Sequence, residues 1–448
     1  MPVYVISSNV SATTTPGYTL SGGDQMFIMA GVAVSSRDTD AIVSTVGGVL
    51  VQVAGAVIGN HAGINLGSLS TDLDLRVEIA ASGYVSGGSN WTLGGVDIFG
   101  TSGSVVNYGF VSGFYGIQIG GGFGSVSDVF NAGTITGRDS AIAHKDIATD
   151  TLHLVNTGTI IAAPGGAAIS GSNVGAVEIV INRGLIVGDV YLKDDNDSYV
   201  SRGGSLEGNI YFGDGIDRYL GVSGNVTGAV YGGAGTDTFF GNEHEADVFV
   251  GGADVDTLDF RLGGQVTLAL DLSFAQNGAA LGDTYFEMEN VFGSDIGNDV
   301  IRGNGAANAL FGWGGNDSLD GASGNDVLRG GTGVDTLTGG IGNDTFRFSA
   351  LIECGDVITD FGNILSSDDR FQITAAAFGG GLVAGALAAN QFITRADNLA
   401  QDADDRFIFN TTDRTLWFDA DGSGAGAAVM VADLQAGAIV TAADILLI

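Results

Sequence analysis

Apolar residues return at fixed steps along most of this chain. The step is tightest between Ser294 and Arg347, where six nine-residue blocks follow one another without a gap. Their eighth positions are Ile301, Leu310, Leu319, Leu328, Leu337 and Phe346. Their sixth positions are Asp299, Asn308, Asp317, Asp326, Asp335 and Asp344. Gly303, Gly312, Gly321, Gly330 and Gly339 open the last five blocks. A disordered Gly-Asp linker would hold no apolar register, whereas here the register is strict. The pattern predicts a turn followed by a short strand whose central side chain points inward. Two blocks make one coil of a parallel β-roll, and successive coils stack at about 4.8 Å.

The N-terminal half carries a looser repeat. Asn-x-Gly followed by an apolar strand occurs at Asn107, Asn131, Asn156 and Asn182. Fainter copies begin at Gly55 and Gly83. Several short strands per step of this length predict coils of a parallel β-helix. Asn and Gly supply the tight turns. Proline occurs only at positions 2, 16 and 164, which suits unbroken ladders. From Gly188 the step shortens, with Val190-Tyr191, Ile210-Tyr211 and Val230-Tyr231 in phase, and Asp197, Asp217 and Asp237 in the same phase. Residues 261–292 break the repeat and read as strands that bulge out and rejoin at Gly293. Strands are also expected at 356–361, 406–409, 415–418 and 427–431.

The expected fold is therefore all-β: a right-handed parallel β-helix continuing into a calcium-binding parallel β-roll, with a C-terminal β-strand cap. Its expected divisions are residues 1–187 as β-helix, with 1–41 as a cap or assembly segment, and 188–260 as transition coils and a first roll. Residues 261–292 are an insertion, 293–348 the main roll, and 349–448 the cap and export region.

Stacking places Asp299, Asp317 and Asp335 in one column, and Asn308, Asp326 and Asp344 in another. Such columns repel themselves unless a cation lies between coils. Ca2+ takes about 6–8 oxygen ligands, carboxylate and main-chain carbonyl alike. The expected ligands are those side chains together with the main chain at the first and third positions. These are Gly303, Gly305, Gly312, Gly314, Gly321, Ser323, Gly330, Thr332, Gly339 and Ile341. Glycine at the first, second and fourth positions is expected to adopt positive φ. Asn308, being neutral, predicts a weaker site. Asp217, Asp237 and Asp256 are expected to hold calcium in the earlier coils.

With 51 acidic and 16 basic side chains the formal charge is −35, which several calcium ions would offset in part. There is no basic stripe to bind nucleic acid. The single cysteine, Cys354, permits no intrachain disulfide and is expected to be a small buried residue. The first residues lack a charged n-region and an apolar core of the secretory kind. Residues 41–60 are uncharged and apolar, but glycines interrupt them and Val49, Val51 and Val53 alternate, so a strand is expected rather than a membrane span.

From about Gly213 onward the chain resembles RTX proteins, the calcium-dependent substrates of type I secretion. Residues 356–448 resemble the C-terminal region those proteins share with serralysin-type proteases, through Asp356-Val-Ile-Thr-Asp-Phe, Asp404-Asp-Arg-Phe, Trp417-Phe-Asp-Ala-Asp-Gly and Asp444-Ile-Leu-Leu-Ile. The resemblance implies an uncleaved C-terminal export signal, passage through the type I machinery and folding in external calcium. It departs at Asn308 and at the out-of-step block 241–250. Residues 40–190 are similar, more loosely, to β-helical regions of bacterial adhesins.

No His-Glu-x-x-His is present, and His61, His144, His153 and His244 are scattered. The one polar cluster that would suit a polysaccharide lyase or epimerase is Arg138, Asp139, His144, Lys145, Asp146, Asp150 and His153, whose plainer reading is a polar turn edge. Asp419-Ala-Asp421-Gly reads as a hairpin turn. The expected role is a secreted, extracellular or cell-surface structural or adhesive protein: a surface-layer, matrix or filament subunit that associates with itself. A cell-surface polysaccharide is the second expected partner, and a β-helical polysaccharide-binding or -modifying protein the alternative.

Overall fold

The computed structural model describes residues 2–67, 73–88, 93–121, 125–145, 150–173, 175–241, 247–362 and 368–448. Their regular structure is almost entirely β-strand; the one α-helix among them is the single turn Ala375–Phe378. Among the described residues no helix is long and apolar enough to cross a membrane. The chain separates into two compact units: Met1–Phe239 with Asp247–Asp254, and Phe240–Ala246 with Val255–Ile448.

The first unit is a parallel β-helix. Its strands pair with strands one coil later, in register from Val3 onward. The residues before Ile42 are therefore coils like the rest, not a separate cap: Val3–Ile6 pairs with Gln25–Ile28, and Val10–Ala12 with Ala33–Ser36. The apolar stretch 41–60 resolves into Ile42–Ser44, Leu50–Val53 and Ala56–Gly59, with Val49, Val51 and Val53 buried. Alternate side chains point inward. One inward column runs Met26, Val51, Val77, Val105, Val129, Leu154, Val180, Tyr199, Tyr219, all buried.

The four Asn-x-Gly motifs stack into a ladder. Asn107, Asn131, Asn156 and Asn182 are all buried, and each Nδ2 donates to the next Oδ1 at 2.8, 2.8 and 2.9 Å. Each Nδ2 also donates to a main-chain carbonyl, of Thr134, Thr159, Leu185 and Ser205 respectively. The side-chain amide thus holds the turn of its own coil and clamps the coil beyond. Asn131→Ala is expected to lower the stability of this unit by about 1–3 kcal/mol, because Asn107 loses its acceptor and Asn156 its donor in a buried setting. Urea denaturation followed by circular dichroism measures this.

The second unit holds the roll. Val300–Arg302, Ser318–Asp320 and Thr336–Thr338 stack in parallel on one face. Ala309–Gly314, Val327–Thr332 and Thr345–Phe348 stack on the other. All six eighth-position side chains are at most 1 % exposed and form the thin core between the faces. The segment 261–292 is a larger coil of the roll rather than an excursion from it. Val266–Ala269 pairs in parallel with Val300–Arg302, and Asn290–Phe292 with Ala309–Gly314. Only Asn277–Gly278 turns back, antiparallel to Val266 and Thr267. A positive φ at Glu287 ends the strand expected there, leaving Phe286 exposed and Met288 buried.

The C-terminal strands extend both faces. Val429–Leu434 pairs in parallel with Asp356–Ile358, and Ile445–Leu447 with Arg370–Ile373. Phe407–Asn410, Thr415–Phe418 and Val429–Leu434 form an antiparallel sheet, with Asp419 and Asp421 at the hairpin turn. Cys354 is half-buried rather than buried, and burial pushes its thiol up to about 12, which leaves it unreactive.

Candidate metal centre

The turn geometry sets the aspartates. Each sixth-position carboxylate accepts, through Oδ1, the main-chain N–H of the equivalent residue one coil earlier. On one edge Asp299 donates to Asp317 at 2.8 Å, Asp317 to Asp335 at 2.7 Å and Asp335 to Asp356 at 3.1 Å. On the other, Asn308 donates to Asp326 at 2.7 Å, Asp326 to Asp344 at 2.9 Å and Asp344 to Asp369 at 2.9 Å. Asp356 and Asp369, outside the nonapeptides, continue the two columns. Sequence reading missed them because their spacings are 21 and 25 residues rather than 18.

The second carboxylate oxygen is the informative atom. Oδ2 of Asp317, Asp326, Asp335 and Asp344 is buried with no hydrogen-bond partner. A buried, unpaired charged oxygen is costly, so each of these four positions calls for a cation or a proton. Asp299 and Asn308 differ. Asp299 Oδ2 accepts the N–H of Ser294 at 2.6 Å, and Asn308 spends its amide on Asn304 N and Glu289 O. The neutral residue is thus satisfied by the protein itself.

Glycine at the first position is required for space, not for φ. Its φ is not positive in any of the five blocks. A Cβ added to Gly312 would collide with Asp317 Oδ2 and stand 2.6 Å from Gly330 O. One added to Gly321 would collide with Asp326 Oδ2 and stand 2.5 Å from Gly339 O. Gly303, Gly330 and Gly339 meet the side chains of Asn308, Asp335 and Asp344 in the same way. So a carboxylate oxygen and a carbonyl oxygen of the next coil converge on the space the missing methyl leaves.

Positive φ falls instead on the second and fourth positions, at Gly331 and Gly340 and at Gly315, Gly324, Gly333 and Gly342. Trp313 and Ala322 adopt it without being glycine. Trp313 is held there between the guanidinium groups of Arg261 and Arg329, 5.1 and 5.3 Å from its ring. At the third position, the carbonyls of Gly314, Thr332 and Ile341 accept N–H groups from the neighbouring coil. Ser323 bridges Ile341, while Gly305 has open space around its Cα.

Burial pushes the carboxyl groups of Asp317 and Asp326 up to about 7, and that of Asp344 up to about 6, against the pull of their main-chain hydrogen bonds. Asp356 rises to about 8 through burial and the nearby Asp335. Asp299 and Asp335 are raised as well, again mainly by burial.

The first unit has a similar column. Glu178 donates its N–H to Asp197, Asp197 to Asp217 and Asp217 to Asp237, at 2.7, 2.7 and 2.8 Å. Oδ2 of Asp197 and Asp217 is buried without a hydrogen-bond partner. Asp197 therefore joins Asp217 and Asp237 as a candidate. Burial pushes Asp217 up to about 7 and Asp237 up to about 6. Asp256 belongs to the second unit, where its N–H donates to Glu289 at 2.9 Å. Block 241–250 lies partly outside the described residues.

Among the described residues of the polar cluster read for polysaccharide chemistry, only His144 and Asp150 meet, and they do so inside the coil rather than on an outer face. His144 is buried inside the coil, bonded through Nδ1 to Glu178 and through Nε2 to Asp150 at 3.1 Å. Burial alone would lower its pKa, but the hydrogen bonds it donates to Asp150 and Glu178 raise it to about 9. This pairing joins residues 34 apart in sequence, and no local pattern announces it. His153 faces outward, 44 % exposed and 3.3 Å from Asp128. Lys145 lies over the Tyr115 ring at 4.7 Å, and Arg138 and Asp139 are exposed. Asp146 and His244 lie outside the described residues.

Among the described residues no three His, Cys, Asp or Glu side chains gather as a metal cluster. A cation here would be completed by main-chain oxygens, which suits hard Ca2+ and not zinc.

A family model described as RTX calcium-binding nonapeptide repeat (4 copies) matches residues 294–328 and again 320–350. The chain thus carries RTX calcium-binding repeats in the segment that holds the four unpaired Oδ2 atoms. No curated protein matches the chain.

Proposed function

We propose that this chain is a secreted, calcium-binding structural or adhesive protein, a surface-layer, matrix or filament subunit. Its roll folds when calcium enters between coils. The observation that carries this reading is the set of buried, unpaired Oδ2 atoms on Asp317, Asp326, Asp335 and Asp344, each in strict register with its neighbour. Those oxygens, with the carbonyls of Gly330 and Gly339, would hold the ion, which supplies positive charge and a bridge between coils. The main-chain N–H of each preceding coil fixes Oδ1, which leaves Oδ2 turned to the shared space. Asp197, Asp217 and Asp237 would do the same in the earlier coils.

In this reading, residues 1–187 present a surface, 188–260 and 293–348 carry the calcium-dependent coils, and 349–448 closes the roll and is read by the type I machinery. In a low-calcium cytoplasm the uncompensated columns oppose folding, which keeps the chain in the extended form that export requires. Coils with repeating outer faces are suited to self-association. Adding calcium to chelated protein is expected to produce, along with β circular dichroism, particles larger than the monomer by light scattering. A folded product that stays monomeric at every calcium concentration would remove the assembly part and leave the calcium part.

A further inference from the structure

The first unit has a groove of about 700 Å³ on its outer face, and the calcium reading gives it no role. It arises from one outward column of side chains. Met29, Ala54, Ala80 and Tyr108 follow each other on successive coils, since each directly follows a strand whose register is fixed by Ile28↔Val53, Val53↔Ile79 and Ile79↔Asn107. The two alanines leave a slot, walled by a half-exposed methionine at one end and a half-exposed tyrosine at the other. Three coil steps of about 4.8 Å separate the walls, which leaves about 10 Å of free length once the walls' own thickness is removed. Phe130 packs against Tyr108 with ring centroids 5.9 Å apart.

The column beside the slot runs Phe27, Gln52, Glu78 and Val106, apolar at both ends and polar between, with Arg76 two residues before Glu78 on the same face. Gln52 donates through Nε2 to Glu78, and Arg76 Nη2 lies 3.1 Å from Glu78 Oε1. Arg76 and Glu78 cancel each other's charge, so the groove offers neither sign to a ligand. What it offers is a phenol ring, a thioether, a floor of methyl groups, and amide, guanidinium and carboxylate groups along one side. An apolar slot with a few convergent polar groups is the general form of a small-ligand site. A purely apolar occupant would strip water from the donors and acceptors that Gln52, Arg76 and Glu78 do not already spend on one another, at a cost for each. An anionic polymer would meet no unpaired cation.

We propose that this groove binds a neutral glycan, with one sugar face against Tyr108 and hydroxyl groups bonded to Gln52, Arg76 and Glu78. The proposal gives the adhesive reading above a ligand class and rests on that reading only for its biological setting, because the groove lies wholly in the first unit. The full chain in calcium is titrated calorimetrically with neutral tetrasaccharides of glucose, mannose, galactose and N-acetylglucosamine, and with trigalacturonate. A neutral tetrasaccharide is expected to give saturable heat. Tyr108→Ala is expected to weaken its binding by about tenfold or more, equivalent to at least about 1.4 kcal/mol. Ala80→Leu, which fills the slot from an exposed position, is expected to abolish it. Both variants are expected to keep the parent circular dichroism. The proposal is overturned if no neutral tetrasaccharide binds, if trigalacturonate binds as tightly, or if binding survives Ala80→Leu. Calcium dependence is read separately from the dichroism, so failure of the sugar site and failure of the calcium reading leave different records.

Discussion

Stripping calcium at pH 8 is expected to abolish most of the β-sheet circular dichroism of the second unit, and restoring it is expected to bring the signal back cooperatively. The magnitudes decide this. Each buried carboxylate without a partner costs several kcal/mol. Asp317, Asp326, Asp335 and Asp344 each pair Oδ1 with a main-chain N–H but leave Oδ2 buried and unpaired, so each keeps part of that cost, against a total stability of about 5–15 kcal/mol for an ordinary domain. The thin roll core cannot absorb that cost. Acid is expected to replace the ion in part. Burial raises the folded-state pKa of Asp317 and Asp326 to about 7, of Asp344 to about 6 and of Asp356 to about 8, from 3.8. A raised carboxyl pKa gives the metal-free fold a contribution that is fully present below pH 3.8 and is lost as pH rises through about 6–8. Chelated protein is therefore expected to regain β signal between pH 8 and pH 5, and calcium binding near neutrality to release protons. Chelated protein at pH 8 with unchanged dichroism and melting would defeat the calcium reading.

The roll was legible because its two constraints are periodic. One apolar residue in nine fixes the inward column at Ile301, Leu310, Leu319, Leu328, Leu337 and Phe346, and aspartate two residues earlier fixes the turn edge. The Asn-x-Gly steps gave the β-helix in the same way. What the periodicity could not carry is which polar atoms are already spent. Asp299 looks like its neighbours in sequence, yet the main-chain N–H and hydroxyl of Ser294 satisfy it. The signal available was the serine standing where the later blocks have glycine. Contacts between residues on separate coils with no shared period were equally hidden, such as His144 with Glu178, or Trp313 between Arg261 and Arg329. Glycine was read as a backbone device at three positions, although at the first its contribution is the volume it leaves empty.

That distinction makes a sharp prediction. Gly312→Ala is expected to raise the calcium midpoint for folding by about tenfold or more, while Gly305→Ala is expected to leave it unchanged. Neither glycine has positive φ, so backbone strain is the same for both. They differ only in what a methyl group meets. At Gly305 nothing lies within 4 Å, and a substitution in open space changes stability by no more than about 0.5 kcal/mol. At Gly312 the methyl strikes Asp317 Oδ2 and lies 2.6 Å from Gly330 O, the two oxygens expected to face the ion. Overpacking of this kind costs about 1–3 kcal/mol. Relief by rotating Asp317 away would withdraw a ligand, and relief by moving the coil would break the Asp299 N–H bond to Asp317 Oδ1. Each route reaches the same observable, a weaker calcium response at unchanged charge. Calcium titrations of the two variants, followed by circular dichroism, separate the possibilities. Equal midpoints would mean that the space beside Gly312 is not where the cation sits.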